Sequence, residues 1–217
     1  MNNKLLYLHG FASGPLSTKA QFFKKKSIGK VEFDIYDYIP DQDSFTNLKT
    51  SSILKKLHSY TEIKFSEGVI LCGSSFGGLL SLWYAASHPK NVIKLILIAP
   101  ALRFSASSIT KLLEITPNEW ETTGFAHLMH YRYNQMVPLA YSFYTDILNN
   151  PPPDFYRMNI SIPTTIIHDI KDEVVPISWS REYLESKTNV ILHELEGDHQ
   201  LLDQKEIIWS IITKFLD

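Results

Sequence analysis

The sequence predicts an α/β protein with a mostly parallel central sheet flanked by helices, and three observations support this prediction. Short continuous aliphatic runs recur along the chain, and such runs are typical of strands buried on both faces of a parallel sheet. Segments with apolar residues at helical spacing lie between these runs, an alternation typical of βαβ units. With 217 residues, 44% of them hydrophobic and 20% charged, the chain has the composition of a globular domain. We therefore expect residues 1–217 to form a single α/β domain.

The predicted elements follow one another in strand and helix order. The first strand is an apolar run that stops at His9-Gly10, the second alternates with period two, and several later runs are bounded by glycine or proline. The predicted strands cover 5–8, 31–36, 69–72, 93–99, 164–167 and 190–195. The predicted helices cover 18–28, 44–60, 75–87, 178–185 and 204–215. Loops that follow the carboxyl ends of such strands are where α/β sheets carry their functional sites.

Residues 104–156 break this alternation, and we interpret them as a cap or lid insertion over the carboxyl ends of the strands. The segment contains ten of the 27 aromatic residues and ends in a proline-rich loop at 149–153. Its central part is compatible with a hairpin around 132–135. The aromatic residues either pack the insertion onto the domain or line a substrate pocket, and Tyr131 and Tyr133 are the candidate pocket residues.

The composition argues against several classes of protein. A net charge of −2 gives no electrostatic basis for binding nucleic acid or an anionic membrane surface. One cysteine, interpreted as a buried thiol at Cys72, cannot form an intrachain disulfide, and the spacing of histidines and acidic residues suggests no metal cluster and no cofactor. The apolar runs are shorter than the roughly 20 residues of a membrane-spanning helix, and the first is too short for a secretion signal. We therefore expect a cytoplasmic protein with no membrane span.

The sequence Gly73-Ser74-Ser75-Phe76-Gly77 matches the nucleophile motif G-x-S-x-G, between a predicted strand and a predicted helix. In that context the serine lies on a tight turn with strained backbone angles, where a side chain two positions away would clash. Only Ser75 has glycines at both positions, so Ser75 rather than Ser74 is the candidate nucleophile. The alternative is an ordinary helix cap by either serine.

A nucleophilic serine needs a base, and the base needs an acid that orients it. In α/β-hydrolases these residues follow in the order serine, acid, histidine. Asp172 lies in the loop after the predicted strand 164–167, and His199 lies between the last predicted strand and the last predicted helix. Because both positions follow carboxyl ends of strands, Ser75, Asp172 and His199 are the predicted catalytic triad.

Other acids and histidines compete less well for these roles. Asp198 is an alternative acid, but it directly neighbours His199, and neighbouring residues rarely place a carboxylate on the outer imidazole nitrogen. The remaining candidates are interpreted as structural, as pointing elsewhere, or as lacking a strand-end context: His88, His127, His130, His168, Asp169 and Glu173.

An acyl-transfer serine also needs donors for the oxyanion. His9-Gly10-Phe11 follows the first strand, and the usual arrangement uses the N–H after the nucleophile and one from this early loop. The predicted donors are therefore the backbone N–H groups of Phe11 and Phe76. Gly10 allows a close approach of the backbone at this turn.

These motifs together resemble one family of the α/β-hydrolase superfamily, the YqiA/YcfP-type esterases. Residues 9–20 resemble the HGF-x-S-x-P-x-S-x-K-A signature, and residues 73–78 resemble the GSS-x-GG elbow. Ala99-Pro-Ala101 is similar to the segment after the next strand of that family. The acid loop HG-x-x-D-x-x-V-P is matched by residues 168–176, and the final D-H by Asp198-His199.

The resemblance spans nearly the whole chain and implies an α/β-hydrolase fold with a small cap insertion, as in the longer, capped members of the family. One departure is Asp169, which replaces the glycine that usually follows the strand histidine but leaves Asp172 in register. The family is mainly one of esterases, so the resemblance implies the reaction class more strongly than the substrate.

The expected function is that of a serine carboxylesterase that cleaves small-molecule acyl esters through an acyl-enzyme intermediate. An acyl thioesterase would use the same residues, so the sequence leaves this alternative open. A catalytically silent binding protein on the same fold is the third possibility, and the intact triad argues against it.

Overall fold

The computed structural model describes residues 4–185, 187–197 and 201–217. Its strands are β1 (Lys4–Leu8), β2 (Glu32–Tyr36), β3 (Val69–Ser74), β4 (Val92–Ile98), β5 (Phe125–His130), β6 (Gln135–Ala140), β7 (Thr164–Asp169) and β8 (Val190–Leu195). Six of these pair in parallel in the order β2-β1-β3-β4-β7-β8, and β5 and β6 form an antiparallel hairpin. The predicted α/β fold with a mostly parallel central sheet is confirmed.

Helices connect the strands and cover both faces of this sheet. They are α1 (Thr18–Ser27), α2 (Gln42–Thr46), α3 (Thr50–Lys64), α4 (Phe76–Ser87), α5 (Ala106–Leu112), α6 (Pro117–Thr123), α7 (Tyr141–Asn149), α8 (Ser178–Glu185) and α9 (Lys205–Leu216). None of the helices in the described ranges combines the length and the apolar character needed to cross a bilayer.

Side chains that alternate along the strands build one apolar layer on each face of the sheet. In β1, Leu6 and Leu8 belong to the layer that also contains buried residues of α3 and α4. Leu5 and Tyr7 belong to the opposite layer, with buried residues of α1 and α9. Two-sided burial explains the continuous aliphatic runs in the sequence. Cys72 is a free thiol buried in the second layer, as expected.

The single helix predicted over 44–60 is wrong, because the structure has two helices with a break between them. The first, α2, begins at an N-cap, Asp41, whose carboxylate accepts a hydrogen bond from the N–H of Ser44. Lys49 is extended, and α3 begins at the next residue. The N–H and hydroxyl of Ser51 donate to the carboxylate of Asp146 on α7, which supplies the missing cap from another part of the chain.

The segment between β4 and β7 contains α5, α6, the β5–β6 hairpin and α7. The hairpin expected around 132–135 is present, with its turn at residues 131–134. At this turn the N–H of Tyr131 donates to the carbonyl of Ala12, and the Arg132 guanidinium donates to the carbonyl of Ile39. The tip of the hairpin therefore contacts the loops that follow β1 and β2.

Candidate active site

Ser75 lies in the turn between β3 and α4, at the carboxyl end of the sheet. Its φ is 54° and its ψ is −115°, a conformation that non-glycine residues rarely adopt and that marks strained positions at functional sites. The N–H of Ser75 donates to the carbonyl of Ile98 at 2.8 Å, which ties the turn to the end of β4. Ser74, the other serine of the motif, is buried and its hydroxyl accepts a hydrogen bond from Lys19.

The glycines on either side of Ser75 occupy positions where any side chain would collide with backbone. A Cβ at Gly73 would lie 2.2 Å from the carbonyl oxygen of Gly77. A Cβ at Gly77 would lie 2.1 Å from the carbonyl oxygen of Leu8, because α4 begins directly against the end of β1. This geometry agrees with the prediction that both positions require glycine for steric reasons.

The two predicted oxyanion donors flank the turn that carries Ser75. Phe76 is the first residue of α4, so its N–H has no acceptor within the helix. Outside the regular elements, the hydrogen bonds between described backbone groups include none donated by Phe11 or Phe76. A Cβ on Gly10 would lie 3.7 Å from the Cβ of Ser75, so the turn after β1 packs directly on the candidate nucleophile.

Asp172 is held rigidly in the loop after β7. One carboxylate oxygen, Oδ1, accepts hydrogen bonds from the N–H groups of Val174 and Val175 at 2.9 and 2.7 Å. The other oxygen, Oδ2, lies 3.3 Å from Nε2 of His168, and both side chains are fully buried. His168 contacts the carbonyl of Val175 and the hydroxyl of Ser180, both at 2.8 Å, which supports its interpretation as a structural residue.

The predicted base, His199, and its neighbour Asp198 fall at residues 198–200, outside the described residues. The described chain reaches Gly197, two residues before His199. A Cβ at Gly197 would lie 3.2 Å from Oδ2 of Asp169, the residue that departs from the family pattern. Asp169 is buried, and its Oδ1 accepts a hydrogen bond from the N–H of Lys171 at 2.6 Å.

A cluster of phenylalanines includes Phe76, the residue that follows Ser75. The ring of Phe11 lies 5.5 Å from that of Phe76 and 5.7 Å from that of Phe143, measured between centroids. Phe104 packs on the other side of Phe76 at 5.1 Å. The sequence did not single out Phe104 and Phe143, which pack on Phe76 and Phe11 respectively. Their only signal was the aromatic content of 104–156, which does not say which rings join this cluster.

A groove of about 520 Å³ lies between α5 and α7, and Phe104 lines part of it. Most of its lining is apolar, and it includes Ala106, Pro117, Tyr144, Ile147 and Pro152. The predicted pocket residues Tyr131 and Tyr133 do not line this groove. Tyr131 is 69% exposed, and the Tyr133 ring packs on His130 with its centroid 4.6 Å away. Their contact with a substrate stays a prediction.

Buried polar side chains lie beside the turn that follows β1. The His9 ring is fully buried and its Nδ1 lies 3.0 Å from the carbonyl oxygen of Gly10. Burial would raise the pKa of Asp37, but His9 and Arg132 outweigh burial and hold that pKa below its usual value. Burial lowers the pKa of His130 to about 4, with further contributions from His9 and Arg132. The described residues contain no group of three or more potential metal ligands.

Comparison with known proteins places these features in a family context. The sequence pattern of the uncharacterised protein family UPF0227 matches residues 4–216. The mitochondrial palmitoyl-protein thioesterase ABHD10 of Mus musculus is 30% identical over 227 residues, covering 96% of this chain and 73% of that protein.

Solved structures give the same picture of the fold. Alpha/beta hydrolase domain-containing protein 10 from mouse superposes with a TM-score of 0.75 at 23% identity, covering 99% of this chain and 89% of the other. The monoacylglycerol lipase of Paleococcus ferrophilus superposes with a TM-score of 0.72 at 16% identity, covering 98% and 93%. The expected α/β-hydrolase fold is therefore confirmed.

Proposed function

The chain belongs to the family UPF0227 within the α/β-hydrolase superfamily, and from this premise we propose that it is a serine hydrolase acting on acyl esters or thioesters. At the level of reaction class the protein is an ester-cleaving hydrolase. The catalytic residues, the acyl group and the leaving group belong to the proposal. The observation that carries it is the backbone of Ser75, held at a φ of 54° between a strand and a helix by two glycines that no other residue can replace.

In the first half of the proposed reaction, Ser75 Oγ attacks the acyl carbonyl carbon while His199 accepts the hydroxyl proton. Asp172 holds the imidazole orientation and stabilises the imidazolium. The N–H groups of Phe11 and Phe76 donate to the oxyanion of the tetrahedral intermediate, and each such donor contributes about 3 kcal/mol of barrier lowering.

The intermediate then collapses to an acyl-enzyme, and His199 gives its proton to the departing alcohol or thiol. Water attacks the acyl carbonyl with His199 again acting as the base. Release of the carboxylic acid from Ser75 Oγ restores the enzyme. The hydrogen bonds from Val174 and Val175 fix one oxygen of Asp172, so the acid is already positioned before a substrate arrives.

Replacement of the nucleophile tests this assignment directly. Ser75→Ala is expected to lower kcat for p-nitrophenyl esters by at least about 10⁴-fold, because the acyl-enzyme can no longer form. A fluorophosphonate probe is expected to label the wild-type protein at the peptide containing Ser75, identified by mass spectrometry. Ser74→Ala is the matched control and is expected to keep both labelling and turnover.

Two results would contradict the proposal. Turnover retained in Ser75→Ala would remove Ser75 as the nucleophile. No labelling of the folded wild-type protein, together with no ester turnover, would favour the catalytically silent binding protein instead.

An acyl thioesterase is the second candidate, and one observation favours it. The relative from Mus musculus is named a palmitoyl-protein thioesterase. For either substrate class, the acyl chain needs an apolar site. The groove lined by Phe104 has about 520 Å³, within the usual range of small-molecule sites, and Phe104 contacts Phe76. We propose that this groove accepts the acyl chain, with residues 104–156 acting as the cap.

Ala106→Trp tests the groove, because a tryptophan at this lining position would fill it. We expect kcat/KM for a palmitoyl ester or thioester to fall about tenfold, while kcat/KM for the corresponding butyryl ester or thioester stays unchanged. Leu112→Trp, at a 55% exposed position of the same helix, is the matched control. An equal loss for both chain lengths would exclude the groove as the acyl site.

The same assay compares oxygen esters with thioesters and so separates the two candidate functions. It also tests the predicted pocket residues, since Tyr131→Ala or Tyr133→Ala should shift the acyl-length preference if either tyrosine contacts the substrate. A cytoplasmic location likewise stays a prediction, and the mouse relative is named as mitochondrial.

A further inference from the structure

Tyr38 lies directly behind the turn that connects β1 to α1. Its side chain is buried, and its hydroxyl donates to the carbonyl oxygens of His9 and Gly10 at 2.8 and 3.0 Å. The Tyr38 ring stacks on the His9 ring with centroids 4.1 Å apart and an interplanar angle of 11°. Burial raises the pKa of Tyr38 well above its ordinary value, so its hydroxyl keeps the proton that it donates.

These hydrogen bonds set the direction of the next peptide group. The peptide bonds of this turn are trans, so the C=O of Gly10 and the N–H of Phe11 point in opposite directions. The Gly10 carbonyl faces the Tyr38 hydroxyl, and the Nδ1 of His9 lies 3.0 Å from the same oxygen. The N–H of Phe11 is therefore directed away from Tyr38. Gly10 also packs against the turn of Ser75, where an added Cβ would lie 3.7 Å from the Cβ of Ser75.

We propose that Tyr38 is a positioning residue for catalysis: by holding the carbonyls of His9 and Gly10, its hydroxyl presents the N–H of Phe11 to the oxyanion. The proposal rests on the proposed function, because it takes Phe11 as one of the two oxyanion donors. Tyr38 itself does not touch the reacting atoms. Its effect reaches them through one peptide plane.

The residues on both sides of Tyr38 are fixed by the hairpin of the cap segment. A guanidinium nitrogen of Arg132, Nη1, donates to Oδ2 of Asp37 at 2.9 Å and to the carbonyl of Ile39 at 2.7 Å. The Arg132 side chain also packs over Gly14, where a Cβ would lie 2.9 Å from its Cδ. A preorganised donor must keep its direction during the reaction, and these contacts hold the backbone that carries Tyr38.

Tyr38→Phe removes the hydroxyl and keeps the ring stacked on His9. We expect kcat to fall about 10- to 100-fold with KM little changed, because an oxyanion donor acts in the transition state and complete loss of one costs about 10²- to 10³-fold. The affinity for an alkyl boronic acid, which forms a tetrahedral adduct on the nucleophile, should fall by a similar factor. The affinity for the carboxylic acid product should stay within about twofold, because the product lacks the tetrahedral oxyanion.

Tyr84→Phe is the matched control. Tyr84 lies late in α4, and its buried hydroxyl is 2.6 Å from the hydroxyl of Thr61 on α3. It should lower the midpoint of thermal unfolding about as much as Tyr38→Phe does, and leave kcat unchanged. Unchanged kcat and unchanged boronate affinity in Tyr38→Phe would overturn the proposal and leave Tyr38 with a structural role. If Ser75→Ala is inactive in the same experiment, the proposed function stands whatever the result at Tyr38.

A second measurement needs no variant at Tyr38. In wild-type protein labelled with ¹⁵N, the Phe11 amide proton should move downfield when the boronic acid binds, because the N–H then donates to a charged oxygen. A Phe11 amide that does not respond to the adduct would also overturn the proposal. Labelling of Ser75 by the fluorophosphonate probe would still support the nucleophile in that case.

Discussion

At the scale of single residues, the turn around Ser75 requires two glycines because a side chain at either position would collide with backbone atoms. A Cβ at Gly77 would lie 2.1 Å from the carbonyl oxygen of Leu8, whereas a Cβ at Gly10 would make only ordinary contacts at 3.6 and 3.7 Å. The motif therefore contains glycine for steric reasons, while Gly10 has a weaker requirement. The sequence predicted the steric requirement at Gly73 and Gly77, because G-x-S-x-G is a local pattern with a local steric cause.

His130 gives a prediction about pH. It is fully buried on β5, packs edge-on against Phe45 with centroids 4.6 Å apart, and neither ring nitrogen has a hydrogen-bond partner among the described residues. Its folded-state pKa of about 4 lies below the usual 6.5. Between pH 6.5 and pH 4, this histidine therefore takes up a proton in the unfolded chain but not in the folded protein. The free energy of unfolding should therefore fall as the pH decreases from 6.5 towards 4.

Between pH 7 and pH 5, this histidine should account for a loss of about 1–2 kcal/mol in the free energy of unfolding. Urea unfolding of the wild type and of His130→Leu at both pH values measures the difference. Leucine cannot titrate, so the variant should lose less stability on acidification. Equal losses in the two proteins would contradict the prediction.

At the scale of elements, the start of α3 is stabilised by a carboxylate from α7. Asp146 accepts hydrogen bonds from the N–H and hydroxyl of Ser51, and the side chain of Asn150 donates to it as well. Asp146→Ala should lower the free energy of unfolding by about 1–2 kcal/mol, because it removes a helix cap and leaves the partly buried N–H and hydroxyl of Ser51 without their acceptor. Chemical denaturation measures this change.

Asp41→Ala is the comparison, because Asp41 caps α2 with a single local hydrogen bond to Ser44 on an exposed turn. Its loss should cost less than the loss of Asp146. If Asp41→Ala were more destabilising than Asp146→Ala, the prediction that the Asp146 cap stabilises the start of α3 more than a local cap stabilises α2 would be wrong.

This cap also explains why the break between α2 and α3 could not be predicted. Residues 44–60 show helical spacing throughout, and the cap that starts α3 comes from a residue 95 positions later. By contrast, β1, β3 and β4 are recognisable from the sequence, because two-sided burial leaves a continuous aliphatic run. The same limit applies to the site, since Tyr38 follows β2 without any motif and gains its contacts to His9 and Gly10 only through folding.

At the scale of the whole molecule, the accessibility of Cys72 measures whether the central sheet unfolds as one unit. The thiol is fully buried in the middle of β3, and burial raises its pKa well above the ordinary value. A reagent that modifies cysteine thiolates should therefore react only with molecules in which the sheet has unfolded. In increasing urea, the extent of labelling should follow the same transition as circular dichroism.

A matched reporter is available on the surface. Ile28→Cys in a Cys72→Ala background places a thiol at a 79% exposed position, and it should react at once in native buffer. Fast labelling of Cys72 in native buffer, well below the unfolding transition, would show instead that β3 opens locally.

The order of the strands has a consequence for how the molecule could be divided. The last residues of α7 and the loop that follows it, 148–151, are exposed and lie between β4 and β7 in the sequence. β4 and β7 lie side by side and pair from Leu95 with Thr164 to Ile98 with Ile167. A cut at this loop would give one fragment with β2-β1-β3-β4 and Ser75, and another with β7-β8, Asp172 and His199. The two fragments would therefore be complementary, because the aliphatic edges of β4 and β7 can pair again. Recovery of ester hydrolysis on mixing them would show that they had reassembled.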